Sequence, residues 1–214
     1  IIVATVVFLL VSNIKNIWFV LAGAASIPLW SFVLPDSIID RFLSILTMSD
    51  SSITYRFNTW RGVWNMICDN LFWGIGVGES AFKDIYPSYA ISGTETVMHS
   101  HNIFLQIALE LGIVGIVVFA AIMFMYMQKT FFSVKFRGPE SRSRKMISAG
   151  FAGIAGALVA GFTDHIWYNY RVFLIFWIVI AITMSFVKIN EKERLKENAW
   201  ISNNFKSADI DIYR

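Results

Sequence analysis

The sequence predicts an all-α fold: a polytopic bundle of transmembrane helices with an extracytoplasmic loop that carries short surface helices. Three observations carry that expectation. Of 214 residues, 56% are hydrophobic and 16% aromatic while only 15% are charged, against about a quarter charged in an ordinary soluble domain. Apolar runs at Ile17–Leu34, Ile103–Met127, Ile147–Thr163 and Val172–Val187 match or approach the roughly 17–25 helical residues that a bilayer core requires. Basic residues gather in some of the intervening segments and are scarce in others, as in chains whose loops lie on two sides of a membrane. This balance excludes a disordered, collagen-like or nucleic-acid-coating chain. The net charge is only +3, and the single cysteine, Cys68, allows neither an internal disulfide nor a cysteine-based metal cage.

Taken in order, the run Ile1–Val11 is too short to cross. It starts without Met or a basic leader, so residues 1–12 read as the tail of a severed span, not a signal peptide, and the chain as the C-terminal part of a longer membrane protein. Residues 13–187 form the membrane domain, with spans at about 17–34, 101–127, 147–163 and 171–187 and an outer loop at 35–100. Residues 188–214 form a cytoplasmic tail.

Orientation follows from the charges. Gln128–Met146 holds Lys129, Lys135, Arg137, Arg142, Arg144 and Lys145 against Glu140, and the tail opens with Lys188, Lys192, Arg194 and Lys196. The positive-inside rule puts both in the cytoplasm. Lys15 then lies inside too, and Pro35–Ser100 and Asp164–Arg171 lie outside. The long outer segment agrees, with four bases (Arg41, Arg56, Arg61, Lys83) against seven acids (Asp36, Asp40, Asp50, Asp69, Asp84, Glu79, Glu95), net −3.

Within that segment Phe57, Trp60, Trp64, Ile67 and Leu71 recur at helical spacing after Ser51-Ser52, predicting a helix from about Thr54 to Asp69 on or in the membrane surface. The span 147–163 carries Ala149, Gly150, Ala152, Gly153, Gly156, Ala160 and Gly161, small residues that admit a neighbouring backbone.

Three features bear on chemistry. Arg56 and Arg61 stand in an acidic outer segment, where guanidinium forks suit phosphate oxygens; surface ion pairs with Asp50 or Asp69 are the plainer explanation. His99-Ser100-His101-Asn102 opens the apolar run at Ile103. Asn102, Gln106 and Glu110 then stand four apart, a polar stripe that must face protein or water. A structural hydrogen-bond ladder, a metal site lacking a clear third ligand, and a general base acting on a hydroxyl all fit. The third feature, Asp164 to Arg171, is a polar and aromatic turn on the same side; an aromatic belt with an exposed Asp also fits. Gly74-Ile75-Gly76-Val77-Gly78 lacks the strand–helix–strand setting of a dinucleotide loop and reads as a close backbone turn.

The order Arg56, Trp60, Gly74 to Gly78, Phe82, then His99-Ser100-His101-Asn102 and Glu110-Leu111-Gly112-Ile113-Val114-Gly115 resembles the O-antigen ligase and polymerase family of bacterial membrane glycosyltransferases. The most specific piece is His101-Asn102 followed by Gly112 and Gly115, and the resemblance covers roughly Ser52 to Arg171. It implies a C-type glycosyltransferase-like fold. It further implies transfer of a glycan from undecaprenyl diphosphate to a hydroxyl of a glycan, lipid or protein, on the outer face of the bacterial inner membrane, with no cofactor.

On that pattern His101 matches the base and Asp164 falls near an outer acidic position. Arg56 matches an arginine that binds the donor diphosphate, with Arg61, His99, Asn102 and Glu110 as further substrate-binding candidates. The family's additional arginine in an earlier outer loop has no match, so the fragment is expected to be inactive alone. Competing readings are a transporter of an anionic solute and a non-catalytic assembly subunit.

Overall fold

The computed structural model of the chain describes residues 2–27, 29, 35, 37–38, 51–135 and 142–212. Every regular element among them is helical: α1 (Ile2–Ser12), α2 (Ile17–Ala25), α3 (Ser51–Asp69), α4 (Glu79–Ile85), α5 (Ile103–Lys135), α6 (Arg142–Gly161) and α7 (Tyr170–Ile212). Short 3-10 turns occupy Ile14–Asn16, Tyr86–Ser88 and Ile166–Tyr168. Two of the described helices, Ile103–Lys135 and the stretch Tyr170–Trp200 of α7, are long and apolar enough to cross a membrane. The end of the run 17–34, the loop's Asp36, Asp40, Arg41 and Asp50, and the basic connection with Arg137 and Glu140 lie outside the described residues.

The surface helix begins at Ser51 and ends at Asp69. Helix α6 starts at Arg142, carrying basic residues in its first turn ahead of the apolar run. Helix α7 continues without interruption through the Lys- and Glu-bearing segment to Ile212, because Lys, Glu, Arg and Leu are good helix formers and no proline or glycine intervenes.

Packing follows the small residues. Gly150 meets Thr183 of α7, Gly156 meets Ala4 of α1, and Gly161 meets Ile103 of α5, each at a spacing that a Cβ would overfill. Three helices thus approach α6 closely, as a small-residue stripe permits. Ile103, Ile107, Phe119, Met123, Tyr126, Ile154 and Phe176 form the main buried cluster between α5, α6 and α7. The opposite faces stay apolar and exposed, including Val117, Val118, Ile122, Phe124, Leu174, Ile175 and Ile178, as in helices that meet lipid.

A second core lies over the start of α5. Val63, Met66 and Ile67 of α3, Phe82 of α4, Tyr86, Val97 and Leu109 pack together. The buried face of α3 is therefore Thr59, Gly62, Val63, Met66 and Ile67, while Phe57, Trp64 and Leu71 point away from the protein. The helical periodicity is the expected one, but most of its aromatic stripe is the outward face.

One backbone feature joins this outer layer to the bundle. Gly112 sits inside α5 at φ 65° and ψ −167°, outside helical values, so the carbonyls preceding it lose their intrahelical partners. The turn after α3 fills them: the Ile75 N–H donates to the Leu109 carbonyl (2.9 Å) and the Gly76 N–H to that of Glu110 (3.2 Å). In return the Ile113 N–H donates to the Leu71 carbonyl at 2.8 Å. Contact is close enough to exclude side chains on both sides. A Cβ on Gly74, at φ 67°, would lie 2.5 Å from the Glu110 oxygen, and one on Gly112 would overlap the Phe72 carbonyl.

Gly112→Ala therefore combines a left-handed backbone cost with a backbone overlap and is expected to destabilise the protein by about 2 kcal/mol or more. Gly153→Ala, where a Cβ meets nothing within 4 Å, is expected to leave stability unchanged. Thermal unfolding in detergent followed by intrinsic Trp fluorescence checks the pair; equal melting temperatures for the two variants would refute the strap.

Candidate functional site

The loop before α5 is built by its even-numbered residues and displays its odd-numbered ones. Ser100 is fully buried, its N–H donating to Gln106 Oε1 (2.9 Å) and its hydroxyl to the Asn102 carbonyl (2.7 Å). Asn102 caps α5: its Oδ1 accepts from the N–H groups of Phe104 (2.9 Å) and Leu105 (3.0 Å), an N-cap worth about 1 kcal/mol. The same side chain donates from Nδ2 to the Phe162 carbonyl at 2.9 Å, tying the start of α5 to the end of α6. Farther down the stripe Gln106 Nε2 donates to Glu110 Oε1 at 2.9 Å. Gln106 thus links Ser100 to Glu110 along the stripe, while the Asn102 side chain is bonded to Phe104, Leu105 and Phe162.

Held from behind, His99 and His101 face the opposite side of the loop. Among the described residues His101 is the non-glycine residue with positive φ, at 50°, a conformation costing of order 1–3 kcal/mol that surrounding contacts must maintain. Its Nδ1 lies 3.4 Å from Asp164 Oδ1, contributed by the turn after α6. That carboxylate also accepts the His165 N–H at 2.8 Å. The His99 and His101 ring centroids are 4.3 Å apart, and His99 also meets His165 (5.5 Å) and Tyr168 (4.7 Å). Tyr55 of α3 closes the other side, 6.2 Å from the His101 ring.

Arg56 follows Tyr55 on α3 and is half-buried, whereas Arg61 lies on the exposed face, as five helical residues, about 140° of rotation, require. Among the described residues neither forms an ion pair; Asp69 instead accepts from the Tyr89 hydroxyl at 2.8 Å. Of the candidate residues, the structure brings His99, His101 and Asp164 together and sets Asn102 behind them. Glu110 lies lower on the ladder. His165, Tyr168 and Tyr55 join the cluster; His165 and Tyr168 stood in the singled-out turn, and Tyr55 stands beside Arg56. A cavity of about 220 Å³ lined by Gln128, Lys129, Ser133, Asn190 and Arg194 lies between the last turns of α5 and the middle of α7, away from this cluster.

The electrostatics favour the neutral forms of His99 and His165. Burial pushes His165 down to about 4, assisted by His99, and burial followed by the neighbouring His101 lowers His99. A histidine whose folded pKa lies below its unfolded value near 6.5 binds fewer protons folded than unfolded across the interval between the two. Stability should therefore be unaffected above pH 6.5 and fall progressively from there towards about pH 4. Melting temperatures across this range, compared with those of His165→Gln, check the prediction: the variant should lose part of the acid sensitivity. An unchanged acid dependence would assign it to other groups.

An imidazole beside a carboxylate, partly open to solvent, is suited to accepting a proton from a hydroxyl. No curated protein matches the chain. The O-antigen ligase family model matches residues 1–120. The match covers Arg56, Arg61, His99, His101, Asn102, Glu110, Gly112 and Gly115 and stops short of Asp164. With more than half of its length matched, including the histidine loop and the glycine that breaks α5, the chain belongs to the O-antigen ligase family.

Proposed function

We propose that the chain belongs to a polytopic inner-membrane glycosyltransferase. It moves a glycan from undecaprenyl diphosphate to a hydroxyl on a glycan, lipid or protein acceptor at the outer face of the membrane. The observation that carries the reading is His101, held in a strained backbone conformation with its ring nitrogen 3.4 Å from Asp164. With Nδ1–H donated to that carboxylate, Nε2 is the acceptor. Asp164 orients the ring and stabilises the imidazolium that forms.

In the proposed reaction the acceptor oxygen loses its proton to His101 and attacks the anomeric carbon. The bond to the lipid diphosphate breaks as the new glycosidic bond forms, inverting the centre. Arg56, one residue from the Tyr55 ring that flanks His101, binds the departing diphosphate. Arg61 takes a lesser share from its more exposed position. Guanidinium stabilisation of the developing charge makes a divalent metal dispensable. Asn102 and Glu110 serve through the ladder that fixes the loop.

The break at Gly112 does not favour an anion transporter. In such proteins a half-helix N-terminus aims free N–H groups at the anion, whereas here the Ile113 N–H that follows the break is already donated to the Leu71 carbonyl.

In the intact protein, His101→Ala should abolish transfer, a fall of about 10²–10⁴, while protein level and lipid-linked donor persist. Arg56→Lys should reduce transfer because it keeps the charge and loses the planar fork. Transfer of glycan in membranes from the variants checks both; full activity of His101→Ala refutes the base, and full activity of Arg56→Lys and Arg56→Ala refutes the diphosphate role.

The orientation is tested separately. With the exposed native Cys68 replaced by Ser, cysteines at Ser92 and Asn169 should react with an impermeant reagent in intact cells, and one at Glu191 only after permeabilisation. Reaction at Glu191 without permeabilisation inverts the topology.

A further inference from the structure

The side chains that converge on His101 are also a donor set for a transition-metal ion. One donor atom from each of His99, His101 and Asp164 lies within 4.8 Å of the other two. Donors about 2.0–2.1 Å from a tetrahedral ion stand about 3.3 Å apart along each edge. The 3.4 Å between His101 Nδ1 and Asp164 Oδ1 already spans such an edge, and the third donor, from His99, lies within 4.8 Å of both. The sequence offered two histidines without a third ligand; the fold supplies it from a residue 63 positions away.

The surroundings fit a metal site in two further ways. The Asp164 carboxylate is held from outside the donor set by the His165 N–H, the outer-shell support that ligating groups commonly have. The Asp164 side chain is 54% exposed and that of His101 26%, so a hydrated ion can reach the donors and keep a water at the remaining position. Two imidazoles and one carboxylate suit zinc, cobalt and related ions better than magnesium, which prefers an all-oxygen octahedral shell.

We propose that His99, His101 and Asp164 bind a zinc-class divalent ion and that its occupancy inhibits the enzyme. An ion on either nitrogen of a neutral imidazole leaves the ring's only proton on the other, so His101 can no longer accept one. The ion also takes the carboxylate that orients the ring. The binding half of this proposal stands on the donor geometry alone; the inhibitory half rests on the reading of His101 as the base.

The test uses the intact protein in detergent after chelator treatment. Titration with Co²⁺ should give the visible ligand-field bands of a low-coordinate ion, displaced by Zn²⁺, and Zn²⁺ should raise the melting temperature. Zn²⁺ should suppress glycan transfer, chelator should restore it, and excess Mg²⁺ should do neither. His99→Ala and Asp164→Asn, shown to be folded by gel filtration and melting, should weaken Co²⁺ binding by roughly tenfold or more.

Absence of Co²⁺ bands, or bands unchanged in both variants, overturns the site, while His101-dependent transfer would leave the general-base reading intact. Bands with full transfer at saturating Zn²⁺ leave the site standing and overturn its inhibitory role together with the base assignment.

Discussion

The mutual approach of two backbones at Gly112 and Gly74 is the constraint on which the arrangement of the functional layer depends. A break in an apolar helix ordinarily exposes carbonyls that nothing in a hydrocarbon setting can satisfy, at several kcal/mol per group. Here the turn after α3 supplies the missing donors, and Ile113 returns one to Leu71. Because both sides approach through glycine, the contact is between main chains and tolerates almost no change of register. Helix α3 is thereby fixed over the start of α5, which carries Tyr55 to His101.

The histidine loop adds a second, more local constraint. Buried Ser100 and Asn102 provide the hydrogen bonds that hold His101 in its left-handed conformation, and the same Asn102 joins α5 to the end of α6. One amide side chain therefore caps a helix, ties two helices together and leaves the adjacent imidazole facing Asp164. This division of labour explains why the polar stripe along α5 is occupied with internal bonds while the two histidine rings stand just before the helix.

Much of this was legible in the sequence, for identifiable reasons. Long apolar runs and helical spacing located α3, α5 and α6, because burial and period dominate such segments. Spacing by four revealed the Asn102, Gln106 and Glu110 stripe. Clustered small residues in α6 marked the face that receives Ala4, Thr183 and Ile103. Other features were hidden. The break in α5 leaves no mark in hydropathy, since apolar residues continue on both sides and only a glycine's dihedral angle changes. The direction of α3 was ambiguous because both faces carry large apolar groups; Gly62 and Thr59 decide it by permitting close packing, sending Phe57 and Trp64 outward. The meeting of His101 and Asp164 is tertiary, and no local pattern links positions so far apart.

The junction between His101 and Asp164 has a mechanical side as well. One residue precedes the first turn of α5 and the other follows the last turn of α6, so their separation depends on how the two rods lean against each other. Beyond its break at Gly112, α5 runs from Ile113 to Lys135, 23 residues or about 35 Å at 1.5 Å per residue; over that lever, a change of lean by one or two degrees displaces an end by about 1 Å. Hydrocarbon thickness adjusts the tilt of membrane helices at modest cost, and a contact of 3.4 Å is already at the limit of a hydrogen bond. The acyl-chain length of the surrounding lipid thus enters the geometry of this pair directly, with the Asn102 bond to Phe162 as the tether that resists it.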